Sequence, residues 1–321
     1  MNKPLINNSP IFIVGCPRSG TTLLRLLLNA HSLIAIPEET WFFGKLYNLL
    51  PELTKGDDWR KNVASKILEL NSKHFPDLNE KELIENLESI QPDNDAAIIS
   101  VLNRTFAKQE GKEIWGDKTP GYVLQIALLK KLFPKARLIH IIRDGRDVAE
   151  SILKNREAGL QTDDYISVVE YWKRHVLAGI IDGEKHFANA YLQIRYEDLV
   201  NDSESKLKDI CSFLNVPFES QMLEFPKTAR KYVPDWQHHK MTKKPITNSE
   251  MFKWKKENNL YKNSLFELLA GDIVEQVKYE KFSVFNTIAL KDYFVYKVDK
   301  WIKKVRLPFI IINNKLKSVL N

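Results

Sequence analysis

The chain has 321 residues, of which 44% are hydrophobic, enough for one large domain with a sizeable buried core. Charged residues make up 28% and aromatic residues 11%, a composition that excludes a disordered chain. The net charge of +7 belongs to the C-terminal end, because residues 281–321 hold nine Lys or Arg and two Asp while the other residues are neutral as a set. The basic balance therefore does not indicate a nucleic-acid partner for the main domain.

The N-terminal segment and the cysteine content favour a cytoplasmic protein. The first apolar run, 11–14, is too short for the hydrophobic region of a signal peptide or for a membrane span. Two cysteines, Cys16 and Cys211, cannot form a disulfide framework, and this low count suits a reducing compartment.

The sequence predicts three strands, each followed by a helix. A strand over 10–15 precedes a helix over 21–30, a strand over 137–143 precedes a helix from 147, and a strand over 191–196 precedes a helix over 203–214. Helical patterns also cover 41–112 and 122–133. Since parallel strands need helical crossovers, these units predict an α/β fold of three layers, a mainly parallel central sheet flanked by helices.

The strongest motif lies between the first strand and its helix, in the sequence Gly15-Cys16-Pro17-Arg18-Ser19-Gly20-Thr21-Thr22. Two glycines let the backbone wrap closely around an anion. The N–H groups of the loop and of the helix N-terminus then face that anion, with the hydroxyl groups of the loop as further donors. The motif predicts a phosphate-binding, P-loop-like turn.

This loop differs from that of a nucleoside triphosphatase, which carries Lys after its second glycine. Thr21 holds that position here, and the cation comes earlier, at Arg18. No Asp at the end of a neighbouring strand suggests a Mg²⁺ site. A Mg²⁺-dependent P-loop kinase or ATPase therefore stays the alternative enzyme class, and an ordinary glycine turn stays the simplest structural interpretation.

The run Pro-Arg-Ser-Gly-Thr-Thr after a strand resembles the 5′-phosphosulfate loop of sulfotransferases that use 3′-phosphoadenosine-5′-phosphosulfate (PAPS). The Arg resembles the tyrosylprotein and bacterial branches rather than the cytosolic branch, and the similarity extends over about 10–282. The resemblance implies PAPS as co-substrate, no metal requirement, and a 5′-phosphosulfate held by Arg18, Ser19, Gly20, Thr21 and Thr22.

Two further segments resemble the cofactor site of that family. Arg143 at a strand end and Ser151 eight residues later keep the spacing of a pair that grips the 3′-phosphate. Tyr196 resembles a tyrosine that lies beside the adenine. Taken alone, the segment 143–147 is equally typical of a surface salt-bridge cluster, and Tyr196 of a core tyrosine.

The resemblance also implies the catalytic groups. Glu39, the second Glu of a Glu-Glu-Thr, corresponds to the general base of the tyrosylprotein branch. The neighbouring Glu38 is expected to raise the proton affinity of Glu39 if the pair is buried, whereas an exposed pair would be nearly unshifted. Lys118 would stabilise charge in the transition state together with Arg18. Pro120 stands where the cytosolic branch has a catalytic His, and His140 is interpreted as a core histidine. The two glutamates are also typical of a helix N-terminus.

The match weakens in 244–254, which resembles the closing cofactor segment of the family. Lys253 is a candidate for cofactor phosphate. Phe252 stands where the tyrosylprotein enzymes have a catalytic Ser, which leaves open whether Ser249 substitutes for it.

The sequence predicts a sulfotransferase domain over 1–285 and a basic amphipathic appendix over 286–321. Apolar residues recur at near-helical spacing over 293–306, with Lys on another face. This helix favours contact with a membrane surface or, equally, packing on the protein core or on a second subunit in a homodimer.

The leading hypothesis is transfer of the sulfuryl group of PAPS to a hydroxyl or amine of a lipid, glycan, metabolite or peptide. The alternative from another class is a non-catalytic nucleotide-binding, membrane-docking protein. Segments 41–112, 159–164 and 227–243 are expected to form the acceptor pocket, and several aromatic residues either line it or fill the core, namely Trp41, Phe42, Phe43, Tyr232 and Trp236.

Overall fold

The computed structural model describes residues 9–71, 75, 78–155, 164–225, 247–284 and 286–301. Five parallel strands form one sheet in the order β2-β3-β1-β4-β5, with bounds β1 Ile11–Gly15, β2 Ile34–Ala35, β3 Ile114–Lys118, β4 Arg137–Ile142 and β5 Tyr191–Arg195. Every residue of β1 is buried, which requires cover on both faces of the sheet. The predicted α/β fold with a parallel sheet flanked by helices is confirmed.

Helices connect and follow the strands, with bounds α1 Thr21–Asn29, α2 Phe42–Lys45, α3 Leu50–Leu53, α4 Trp59–Asn71, α5 Glu80–Leu87, α6 Asp95–Ile99, α7 Val101–Gln109, α8 Ile126–Leu132, α9 Gly145–Asn155, α10 Tyr165–Phe187, α11 Tyr196–Asn201, α12 Ser203–Leu214, α13 Lys253–Glu257, α14 Leu260–Gln276 and α15 287–301. Short 3-10 turns lie at Tyr47–Leu49, Pro120–Gln125, Ala188–Ala190, Ser220–Glu224 and Asn248–Glu250.

The structure contains a strand, β3, that the sequence pattern did not predict, and the helix predicted over 122–133 begins there as a 3-10 turn. The segment 114–118 lacks the apolar run of a buried strand, yet it lies in the sheet because β1 pairs with it, with Ile13 beside Lys118. Pro120 then opens a 3-10 turn before α8, since proline is tolerated in a first helical turn. Lys118 therefore stands at the carboxyl end of a strand.

The chain forms two compact units, the first made of Met1–Arg143 with Arg174–Met251 and the second of Asp144–Lys173 with Phe252–Asn321. The core of the first unit lies against the sheet face that carries Phe12, Val14 and Leu138. Phe12 packs there with its ring centroid 5.2 Å from that of Phe133. This core holds the strand ends that carry the phosphate-binding loop.

The second unit has its own packing centre. The rings of Trp172 and Phe266 lie 5.4 Å apart, and Arg146 is buried against the ring of Trp254 at 3.6 Å. Asp144 accepts a hydrogen bond from Arg146 Nη2 at 2.8 Å and one from the Trp254 indole at 3.1 Å. The charged run 144–147 thus supplies buried ion pairing inside this unit.

The helix predicted over 293–306 begins earlier, at 287, and is described to 301; residues 302–306 lie outside the described residues. Among the described helices, none has the length and apolar character needed to cross a membrane. The division into a domain over 1–285 and an appendix over 286–321 stays a prediction.

Candidate active site

The phosphate-binding loop joins β1 to α1. The Ser19 N–H donates to the Cys16 carbonyl at 3.1 Å, which closes a turn. Gly20 is the N-cap residue of α1 and provides no side-chain acceptor for the first N–H groups of the helix. An anion bound at this helix N-terminus could accept hydrogen bonds from those groups.

Gly20 allows the loop to pack against Tyr196. Its φ of 95° lies in the left-handed region, which favours glycine. A Cβ at this position would lie 2.3 Å from Cδ2 of Tyr196, inside the ring's van der Waals surface. The loop and the tyrosine are therefore in close contact, and only glycine permits it.

Arg143 follows β4 and reaches the same loop. Its Nη1 donates to the Arg18 carbonyl at 3.2 Å, and its guanidinium carbon lies 4.8 Å from the centre of the Tyr196 ring. Its Nη2 donates to the Glu250 carbonyl at 2.6 Å. The structure thus brings together Arg18, Gly20, Arg143 and Tyr196, which the sequence had predicted to share a cofactor site.

Lys118 and Glu39 form an ion pair beside the loop. Lys118 Nζ lies 2.7 Å from Glu39 Oε1 and 3.4 Å from Thr22 Oγ1. The Lys118 side chain is 1% exposed, whereas that of Glu39 is 31% exposed. The buried ammonium is therefore shared between the loop and a carboxylate that solvent, or an acceptor hydroxyl, can reach.

A buried network behind this pair was not predicted from the sequence. Asp117 accepts hydrogen bonds from Thr40 Oγ1 at 2.6 Å and from Asn103 Nδ2 at 3.2 Å. Burial raises the pKa of Asp117, and its hydrogen bonds and Lys118 act in the opposite direction. Because Thr40 follows Glu39 and Asp117 precedes Lys118, the network holds the two chain segments together. The position of Thr40 and Asp117 next to the two candidate catalytic residues was the sequence signal that could have indicated this network.

Glu38 has an ion-pair partner of its own, and its predicted effect on the proton affinity of Glu39 stays a prediction. It forms an ion pair with Arg25, whose side chain is 1% exposed and lies on α1. Each glutamate therefore has its own cation, and Glu38 attaches the segment before Glu39 to the helix of the phosphate loop.

Four further candidates were named from the sequence: Ser151, Lys253, Ser249 and His140. Ser151, on α9, and Lys253, at the start of α13, belong to the second unit, and their predicted contacts with cofactor stay predictions. Ser249 lies 2.9 Å from the hydroxyl of Thr247. His140 is a core histidine, as predicted: it is fully buried, and burial lowers its pKa to about 3.

No group of three or more His, Cys, Asp or Glu side chains arranged to hold a metal ion occurs in the described part of the chain. Of the segments expected to form the acceptor pocket, 227–243 and 159–163 lie outside the described residues.

Comparison with known proteins identifies the family. The model of the sulfotransferase family matches residues 10–220. Protein-tyrosine sulfotransferase A of Caenorhabditis elegans is 24% identical over 76% of this chain and 60% of its own length. A protein of Aquifex aeolicus is 26% identical over 81% of this chain and 32% of its own. The chain thus spans about a third to three fifths of these relatives.

A solved structure shares the fold. The sulfotransferase domain from the curacin biosynthetic pathway superposes with a TM-score of 0.60 at 24% identity, covering 85% of this chain and 99% of that domain.

Proposed function

Because this chain belongs to the sulfotransferase family, we propose that it transfers the sulfuryl group of PAPS to a hydroxyl or amine of an acceptor. The observation that carries the proposal is the position of Lys118 Nζ, 2.7 Å from a solvent-accessible carboxylate and 3.4 Å from the phosphate-binding loop. An in-line displacement needs a base on the acceptor side of sulfur and a cation on the leaving-group side.

The loop offers a fitting cradle for the 5′-phosphosulfate. Ser19 Oγ is buried and has no hydrogen-bond partner among the described residues, so a donor stands ready inside the loop. Arg18, Thr21, Thr22 and the N–H groups that open α1 would supply the other contacts. Tyr196 would contact the adenine, and Arg143 would hold the 3′-phosphate. Ser151 and Lys253 stay further candidates for contact with a cofactor phosphate.

In the proposed reaction, Glu39 accepts the proton of the acceptor hydroxyl as its oxygen attacks sulfur. The bond from sulfur to the bridging phosphate oxygen breaks, and adenosine 3′,5′-bisphosphate (PAP) leaves. Lys118 stabilises the negative charge that develops on the bridging oxygen. Before the acceptor binds, the ion pair between Lys118 and Glu39 holds the two side chains in place.

Binding of PAP without metal tests the cofactor assignment. At a hundredfold excess over Kd, PAP is expected to raise the free energy of unfolding by about 2.7 kcal/mol. Arg143→Ala should weaken PAP binding by about 10–100-fold, because it removes a charged donor to phosphate. Thermal unfolding and calorimetry measure both.

Arg104→Ala, at an exposed position of α7, is the matched control and should bind PAP normally. Stabilisation by ATP with Mg²⁺, and none by PAP, would contradict the proposal and support the kinase alternative.

The acceptor class and the location are also proposed. We propose a cytoplasmic enzyme with a lipid, glycan, metabolite or peptide acceptor; Cys16 and Cys211 are free and buried, which fits a reducing compartment.

We further propose that α15 contacts an anionic membrane surface. Its large apolar residues are between 39% and 66% exposed and cover about 160° of the helix circumference at 100° per residue, namely Ile288, Leu290, Phe294, Val295, Val298 and Trp301. The opposite side of the helix packs within the second unit, through buried Ala289 and the Tyr261–Asp292 hydrogen bond of 2.6 Å. Residues 286–321 hold eight Lys or Arg and two Asp. An outward apolar face in a basic segment suits anionic lipid.

Vesicle co-sedimentation of the full chain tests this contact. Phe294→Asp and Val298→Asp should each lower binding to phosphatidylcholine–phosphatidylglycerol vesicles about tenfold or more, because each replaces a lipid-facing apolar side chain by an anion. Ile181→Asp, at an exposed site on α10, is the control. Equal binding by all variants would refute the membrane contact, and a stable dimer lost in Val298→Asp would assign the face to a second copy.

A further inference from the structure

Trp41 is the exposed member of an otherwise buried aromatic cluster. Phe42 and Phe43 are 3% and 2% exposed and pack on Tyr122 with ring centroids 4.9 Å and 4.8 Å from its own. Trp41 is 39% exposed. Two of the three consecutive aromatic residues therefore fill the core, and the first remains at the surface.

The backbone holds Trp41 in an unfavourable conformation. Its φ of 51° and ψ of 29° lie in the left-handed region, where a residue with a Cβ is strained. Its carbonyl accepts a hydrogen bond from the Lys45 N–H at 3.1 Å as α2 begins. Backbone strain of this kind occurs most often at functional sites, where it can contribute to binding or catalysis.

Gly121 and Leu124 continue the surface. A Cβ on Gly121 would lie 3.4 Å from Cζ3 of Trp41, so the indole lies directly beside the Gly121 backbone. Leu124 is one 3-10 turn further on, and residues i and i+3 of a 3-10 helix are on the same side. Leu124 is 38% exposed. We call the surface of Trp41, Gly121 and Leu124 the apolar ledge.

The ledge is next to the candidate catalytic pair. Glu39 and Trp41 are two residues apart, and Lys118 and Gly121 are three apart, so their Cα separations are at most about 7 and 11 Å. The two segments are joined by the Lys118–Glu39 contact of 2.7 Å and the Thr40–Asp117 hydrogen bond of 2.6 Å. An acceptor whose hydroxyl reaches Glu39 would therefore extend over the ledge.

We propose that Trp41 and Leu124 bind the body of the acceptor and select one that is apolar, with an aromatic ring favoured over a polyhydroxylated sugar. This proposal rests on the proposed sulfuryl transfer, and it assigns the acceptor side of the same site. Gly121 and Leu124 have no polar side-chain atoms, and the indole has one N–H donor, so sugar hydroxyls would lose water without gaining partners. A flat apolar ring gains contact with the indole face.

Kinetics with 2-naphthol and N-acetylglucosamine as acceptor probes test the ledge, with PAPS as donor. The wild-type chain is expected to have the higher kcat/KM with 2-naphthol. Trp41→Ala should raise KM for 2-naphthol about 10–50-fold with little change in kcat, whereas Trp41→Phe should have a KM close to that of the wild type. Leu124→Ala should raise KM for 2-naphthol about 3–10-fold. PAP stabilisation should stay unchanged in all three, which separates the ledge from the cofactor site.

Trp41→Gly relieves the backbone strain while it removes the indole, and it provides the same test if Trp41→Ala folds poorly. Ile181→Ala, at an exposed site on α10, is the matched control. The ledge is refuted by an unchanged KM in Trp41→Ala and Trp41→Gly, by a preference for N-acetylglucosamine, or by failure of PAP-loaded wild-type chain to bind 2-naphthol. Absence of PAP binding would instead refute the proposed function.

Discussion

Replacing Lys118 by Met is expected to lower the rate of sulfuryl transfer about 10²–10³-fold, because it removes a cation that contacts both Glu39 and Thr22 of the phosphate loop. Met occupies nearly the same volume, and Lys118 is buried, so the packing around it is kept. Initial rates at saturating PAPS measure the effect, and thermal stabilisation by PAP measures cofactor binding.

Lys130→Met is the control for the loss of a lysine. The Lys130 side chain is partly buried and donates to the Pro134 carbonyl at 2.7 Å, and neither residue belongs to the candidate site. Its rate should stay within about twofold of wild type. If Lys118→Met lost PAP binding in proportion to its rate, Lys118 would hold the cofactor rather than stabilise the transition state, and the assigned role would be wrong.

Glu39→Gln is expected to lower the rate about 10²–10⁴-fold, because the amide cannot accept a proton from the acceptor hydroxyl. The substitution keeps the shape of the side chain and an oxygen able to accept from Lys118 Nζ. Cofactor binding and the free energy of unfolding should therefore stay near the wild-type values. Single-turnover rates at saturating acceptor separate this chemical effect from acceptor binding.

The adjacent glutamate provides the contrasting variant. Glu38→Gln weakens the ion pair with buried Arg25, so it should lower the free energy of unfolding by about 1–3 kcal/mol, as measured in urea. A rate loss in Glu39→Gln no larger than that in Glu38→Gln would remove Glu39 as the general base and leave both glutamates with a structural role.

Local patterns in the sequence predicted the first strand, its glycine-bounded loop and the following helix correctly, because the geometry of this unit is local. A buried strand, two glycines and a leucine-rich helix occur within twenty residues, and Gly20 adopts the left-handed conformation that such a turn requires. The family resemblance also assigned Arg143 and Tyr196 to the cofactor site, and both follow parallel strands whose carboxyl ends meet at one edge of the sheet.

Strand β3 could not be predicted in the same way. Gly116, Asp117 and Lys118 break the apolar pattern of a buried strand, and Asp117 is nevertheless fully buried. Its burial is acceptable only because Thr40 and Asn103 donate to it, and those partners come from other parts of the chain. The role of the Asp117 network was missed for that reason.

The sequence alone was sufficient for the fold class, because strand, turn and helix preferences act over a few neighbouring residues, and for the family, because its loop motif is a short continuous segment. Only the tertiary structure decided the pairings. Lys118 meets Glu39 across 79 residues of chain, Glu38 pairs with Arg25, and Trp41 stays exposed while Phe42 and Phe43 are buried. These contacts depend on the order β2-β3-β1, in which strands distant along the chain become neighbours.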